Sequence, residues 1–118
     1  MDGEITPQAV SDLDTAADDL RIVDIRDERS FERGHIPGSV NLPFHELTAR
    51  VDELTDASHV VTVCPHGKAS VQAARLIASY EGCADARVES LAGGLDAWAT
   101  EYDLVETAGD SDRDEPPL

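Results

Sequence analysis

Apolar residues recur along the chain at two spacings, and the alternation between them predicts the fold. Val60-Val61-Thr62-Val63 is the most strand-like run, and its nearly continuous apolar character predicts a strand covered on both faces. Residues 21–25 and 87–91 read as strands from their branched apolar content, and Ile5 and residues 39–42 as shorter ones. Between these runs the spacing becomes helical. Val10, Leu13 and Ala17 form a stripe behind Thr6-Pro7, an N-cap followed by proline at the first helical position. Ile5 and Val10 are spaced to staple across that cap. Asp27 is placed to cap a second helix through Phe31 and Arg33, ended by Gly34. Pro43 opens a third, with Phe44, Leu47, Val51 and Leu54 on one face. Val71, Ala74, Ile77 and Tyr80 mark a fourth, and residues 95–98 start a fifth after the Gly93-Gly94 turn.

Strands alternate with helices throughout. This pattern predicts an α/β fold: a central parallel sheet of about five strands, flanked by helices on both faces and joined by right-handed crossovers. Ligands in such folds bind beyond the carboxyl ends of the strands. At 118 residues the chain is expected to hold one domain, over residues 1–106. Residues 107–118 have high charge and no periodicity, and read as an acidic, disordered tail.

Charge narrows the function. The formal net charge is −16, which argues against nucleic acid as a partner, because phosphate recognition needs clustered basic residues. Of the 9 basic residues only Lys68 is a lysine. Acid excess with so little lysine resembles the proteins of halophilic organisms, where concentrated salt screens self-repulsion. No apolar stretch approaches the roughly 20 residues that span a bilayer. The acidic N-terminus lacks the plan of a signal peptide, so no membrane association and a cytoplasmic location are expected. Cys64 and Cys83 form neither a disulfide framework nor a CxxC or Cys/His zinc cluster, and neither a metal nor a cofactor is expected.

The segment that can carry chemistry is Cys64-Pro65-His66-Gly67-Lys68-Ala69-Ser70. It joins the most strand-like run to a helix. A loop of this kind turns backbone N–H groups inward, and with the helix N-terminus they form an anion cradle. A cysteine held there has a lowered pKa, so nucleophile and oxyanion site coincide. Pro65 has no N–H to give, so any inward donors of the loop belong to His66, Gly67, Lys68, Ala69 and Ser70. Gly67 permits the tight backbone and Lys68 adds a positive charge. The bland alternatives are a buried inert cysteine, a solvated His66 and Lys68, and a Ser70 that serves as helix N-cap or loop hydrogen bonder rather than as a substrate contact.

Four segments resemble those of single-domain rhodaneses, the thiosulfate sulfurtransferase family. They are Val23-Asp24-Ile25-Arg26 with Phe31-Glu32; Gly34-His35-Ile36-Pro37-Gly38-Ser39-Val40-Asn41-Leu42-Pro43; the Cys64 loop; and Leu91-Ala92-Gly93-Gly94-Leu95-Asp96-Ala97-Trp98. The resemblance implies a rhodanese fold and a ping-pong sulfur transfer with Cys64 as the catalytic nucleophile. Cys64 would take sulfane sulfur from a donor such as thiosulfate, form a persulfide, and pass the outer sulfur to a thiophilic acceptor: cyanide, a small thiol or a thiol on a partner protein. Many loops of the family carry arginine where this chain has Ala69, so the anion clamp would fall to backbone amides and Lys68. A cysteine-dependent phosphatase needs a loop arginine, and neither Ala69 nor Ser70 supplies it. The main alternative is a persulfide carrier or sensor with little turnover; an inactive interaction module fits poorly with an intact cysteine. Cys83, the set Asp24, Arg26 and Glu32, and His35 read as structural, His45 and His59 as ordinary surface or helix-edge residues, and Trp98 as packing.

Overall fold

Successive side chains on a strand point to opposite faces, so a strand that is apolar at every position needs cover on both. β4 (His59–Val63) meets this condition: Val60, Val61 and Val63 have no exposed surface. It lies at the centre of a computed structural model that describes residues 1–15 and 17–106. β1 (Glu4–Ile5), β2 (Leu20–Asp24), β3 (Val40–Asn41) and β5 (Arg87–Leu91) complete a sheet in the order β1-β5-β4-β2-β3, with every pairing parallel. The register sets Val60 beside Arg21 and Val88, and Val61 beside Ile22 and Glu89.

Alternation sorts the core into two layers. Val23, Val60, Cys64 and Val88 pack with Leu47, Val51, Ala73, Ala74 and Ile77. These come from α3 (Leu47–Arg50), the 3₁₀ turn behind it and α4 (Ala69–Ser79). Ile22, Val61, Val63 and Leu91 pack on the other side with Val10, Leu95 and Trp98, from α1 (Pro7–Ser11) and α5 (Gly94–Ala99). α2 (Glu28–Arg33) buries no residue. The expected α/β architecture, with helices on both faces of a five-stranded parallel sheet, is the one observed.

Several element boundaries differ from expectation. Thr6 caps α1 as predicted, accepting a hydrogen bond from the Ala9 N–H at 3.2 Å. However, α1 stops at Ser11, and Leu13 and Ala17 reach the core from the connection that follows. The segment after Pro43 is not one helix: two 3₁₀ turns, Phe44–Glu46 and Val51–Leu54, flank the four residues of α3. In α4 the buried face is Ser70, Ala73, Ala74 and Ile77, while Tyr80 is the C-cap and is exposed. The face is shifted because Ser70 packs inward on polar contacts that an apolar period cannot register. Residues 107–118 lie outside the described residues.

Candidate active site

β4 delivers Cys64 to its carboxyl end, and the backbone then curls back over the sulfur before α4 begins. Gly67 makes the curl with φ +82°, and a Cβ there would come within 2.9 Å of the Gly93 nitrogen. Cys64 is 2% exposed. The Gly67 N–H donates to Cys64 Sγ at 3.1 Å, and Ser70 Oγ lies 3.2 Å from the same sulfur. Burial alone would push the thiol up. The Ser70 hydroxyl and the backbone N–H groups of Ser70, His66 and Gly67 outweigh it and hold the Cys64 pKa below the ordinary thiol value.

The loop rests on a second one. Gly94 opens α5 with φ +64°, and a Cβ there would meet the Cys64 carbonyl oxygen at 2.4 Å and the Gly67 nitrogen at 2.6 Å. Only glycine allows this approach. It brings the Leu95 N–H onto the Cys64 carbonyl at 2.9 Å and the Asp96 N–H onto the Pro65 carbonyl at 3.0 Å. With those carbonyls tied outward to α5, N–H groups of the loop remain free to face the sulfur. At the rim His66 Nδ1 lies 2.6 Å from Asp96 Oδ2, both side chains being 70% exposed.

The remaining loop residues sit differently. Lys68 is the N-cap of α4 and exposed, and its side chain makes no ion pair among the described residues. Ala69 is exposed and starts the helix. Ser70 is not the N-cap; it lies in the first turn with no exposed surface, its hydroxyl shared between Cys64 and Ser90. Thr62 Oγ1 donates to the Ser70 carbonyl at 2.7 Å and ties α4 to β4.

Sequence reasoning missed Ser90, Asp96 and the structural duty of Gly94. Asp96 and Gly94 stood in a motif read as a turn and a helix start. Ser90 had a signal, a hydroxyl at a strand position whose neighbours Val88 and Leu91 are buried.

Elsewhere, Asp24 is fully buried and accepts from Arg26 Nη2 at 2.7 Å, while Asn41 Nδ2 donates to the Asp24 and Arg26 carbonyls. Glu32, grouped with that pair from sequence, is exposed and outside the network. His35 stacks on Phe31 with ring centroids 3.9 Å apart. His59 is no ordinary surface residue: its Nε2 lies 2.7 Å from Oε1 of the buried Glu89. Cys83 is buried in the core, where burial pushes its thiol up. Trp98, on α5, packs into the core layer beside Val10 and Ile36 and donates to the Asp103 carbonyl. Among the described residues, no group of three or more His, Cys, Asp or Glu side chains is placed to hold a metal ion.

A strand-end cysteine under inward-facing amides thus lies at the carboxyl edge of a parallel sheet, the edge at which α/β proteins of this class bind their ligands. Residues 6–101 match the family model of the rhodanese-like domain, and the chain belongs to that family. The chain is 40% identical over 84 residues to thiosulfate sulfurtransferase GlpE of Shewanella oneidensis, covering 71% of this chain and 80% of that one. It is 32% identical over 108 residues to the protein of the same name from Pseudomonas aeruginosa, covering 92% and 94%. A putative sulfur carrier protein of Bacillus subtilis, YrkF, is 33% identical over 72 residues, covering 61% of this chain and 39% of that one. Among solved structures, a rhodanese-related protein from Thermoplasma volcanium shares the fold with a TM-score of 0.71 at 21% identity, covering 86% of this chain and 96% of that one.

Proposed function

We propose that this protein is a sulfurtransferase, an enzyme of the thiosulfate sulfurtransferase class that works through a persulfide on Cys64. The observation that carries the reading is the seat of the sulfur: a cysteine at the carboxyl end of β4 with the Gly67 N–H donating to it and the Ser70 hydroxyl in hydrogen-bond contact at 3.2 Å. The Cys64 thiolate attacks the outer sulfur of thiosulfate. The S–S bond of the donor breaks, its electron pair leaves with sulfite, and Cys64 carries a persulfide anion. A cyanide or thiolate acceptor then attacks the outer sulfur, and the pair of the Cys64 S–S bond returns to Cys64. Charge and sulfur balance in both halves, and no redox partner is needed.

The loop donors take the negative charge that the donor brings. His66, Gly67 and Ser70 offer N–H groups to the sulfur, and Lys68 stands at the rim as the cation that Ala69 does not provide. Replacing Lys68 by Ala is expected to raise KM for thiosulfate several-fold while the persulfide still forms; unchanged kinetics would return Lys68 to the solvated surface. Cys64→Ser is expected to abolish thiosulfate:cyanide turnover without loss of fold. A carrier role is the second reading, favoured by the likeness to a putative sulfur carrier. It predicts a stable persulfide with negligible turnover to cyanide, and that assay separates the two.

We assign the protein to the cytoplasm, where the free thiols of Cys64 and Cys83 stay reduced. Among the described residues no helix is long and apolar enough to cross a membrane. The surplus of acidic residues and the single lysine support operation in concentrated salt.

A further inference from the structure

β5 carries a hydroxyl where its layer is otherwise closed. Ser90 has no exposed surface and faces α4, on the same side of the strand as Val88. A polar group so placed is costly unless it is hydrogen-bonded. Its side-chain partner is Ser70, Oγ to Oγ at 2.7 Å. Ser70 Oγ lies in turn 3.2 Å from Cys64 Sγ, and Ser70 is equally buried. Ser90, Ser70 and Cys64 thus form a file of three polar atoms that leads from the sheet interior to the nucleophile.

A hydroxyl both donates and accepts, so the file can run in either direction. With Cys64 protonated, the S–H donates to Ser70 and Ser70 donates to Ser90. With Cys64 ionised, Ser90 donates to Ser70 and Ser70 donates to the sulfur. No atom moves far and neither bond is lost. We propose that Ser90 is a positioning residue for sulfur transfer: acting through Ser70, it favours the ionised form of Cys64 and keeps the Ser70 hydroxyl aimed at the sulfur. The inference rests on the reading of Cys64 as the nucleophile.

Among the described residues, the charged groups of the surrounding elements are exposed, paired or turned away, which leaves this duty to the loop amides and the hydroxyls. α4 has Arg75 as its single charged residue, and Arg75 is exposed. On β5, Glu89 points to the opposite face by alternation and is bound by His59 and Arg87. At the end of β2, Asp24 is neutralised by Arg26. In the turn after Pro43, His45 is exposed, and the half-buried Glu46 is held by Arg50 at 2.8 Å. On the loop and α5, His66 is paired with Asp96, and Lys68 is exposed. Hydrogen bonds to an ion are about twice as strong as neutral ones, so deleting Ser90 weighs on the thiolate more than on the thiol.

The test is the pH dependence of alkylation by iodoacetamide, read at the Cys64 peptide by mass spectrometry so that Cys83 does not contribute. Ser90→Ala is expected to raise the midpoint by about 0.5–1 pH, with the limiting rate at high pH retained. Ser90→Thr restores the midpoint. Ser90→Cys keeps the core filled with a weaker donor, and gives a smaller rise in the same direction. In a Ser70→Ala background, Ser90→Ala adds nothing, because the path through Ser70 is already cut. An unmoved midpoint in Ser90→Ala and Ser90→Cys overturns the inference, as does an equal further rise on the Ser70→Ala background. Thiosulfate labelling of the wild-type protein keeps the two readings apart. Persulfide on Cys64 with an unmoved midpoint defeats the role of Ser90 alone, whereas no persulfide defeats the nucleophile reading whatever the midpoint does.

Discussion

Cys64 is tuned by neutral groups. Its sulfur meets a backbone N–H and a hydroxyl, and the nearest formal cation of its own loop, Lys68, is exposed. Position therefore matters more than charge, and position depends on Gly94. In Gly94→Ala the new methyl would overlap the Cys64 carbonyl at 2.4 Å, in a left-handed conformation that alanine resists. We expect a loss of about 1–3 kcal/mol in urea unfolding, with a fall in kcat larger than the change in KM for thiosulfate. A variant with wild-type kcat would show that α5 does not set the loop. Cys64 and Gly67 were legible in the sequence because strand, cysteine, glycine and helix follow one another along the chain. Ser90 and Asp96 were not, since they reach the site from β5 and α5 and only the parallel pairing of β4 with β5 brings them there.

At the scale of elements, β4 is readable because it is almost continuously apolar, and α4 because Ala74 and Ile77 keep helical spacing even though Ser70 and Ala73 shift its buried face. In α1 and the stretch after Pro43, apolar spacing predicts longer helices than the chain forms. Their apolar residues do reach the core, but through turns, which a periodic pattern does not distinguish from helix. The His59–Glu89 pair was invisible for a related reason: the two residues occupy different strands and meet only when β4 and β5 align. Burial pushes the Glu89 carboxyl up, but the hydrogen bonds from Arg87 and His59 hold it below its usual 4.5. A carboxylate with a depressed folded pKa contributes stability above its unfolded value and loses it as pH falls through the folded one. The sheet should therefore weaken below about pH 4.5. Glu89→Gln should be less stable near neutrality by about 1–3 kcal/mol and show a flatter loss of stability in acid. Denaturant unfolding at both pH values checks this, and parallel acid limbs would contradict it.

At the scale of the molecule, the proposed reaction brings thiosulfate, a dianion, to a chain of net charge −16. Screening by salt shortens the reach of that repulsion to about 3 Å at 1 M. The kcat/KM for thiosulfate is expected to rise from low to molar salt; a steady fall with the fold intact would count against that. The fold class was legible as a whole because strands and helices alternate along the chain, and the family because four motifs stand in order. All of this converges on one covalent step. After incubation with thiosulfate and removal of the excess, the intact protein should gain about 32 Da, one sulfur atom, mapped to the Cys64 peptide and released by cyanide. No gain in mass, or a gain mapped to Cys83 that persists in Cys64→Ser, would contradict the account.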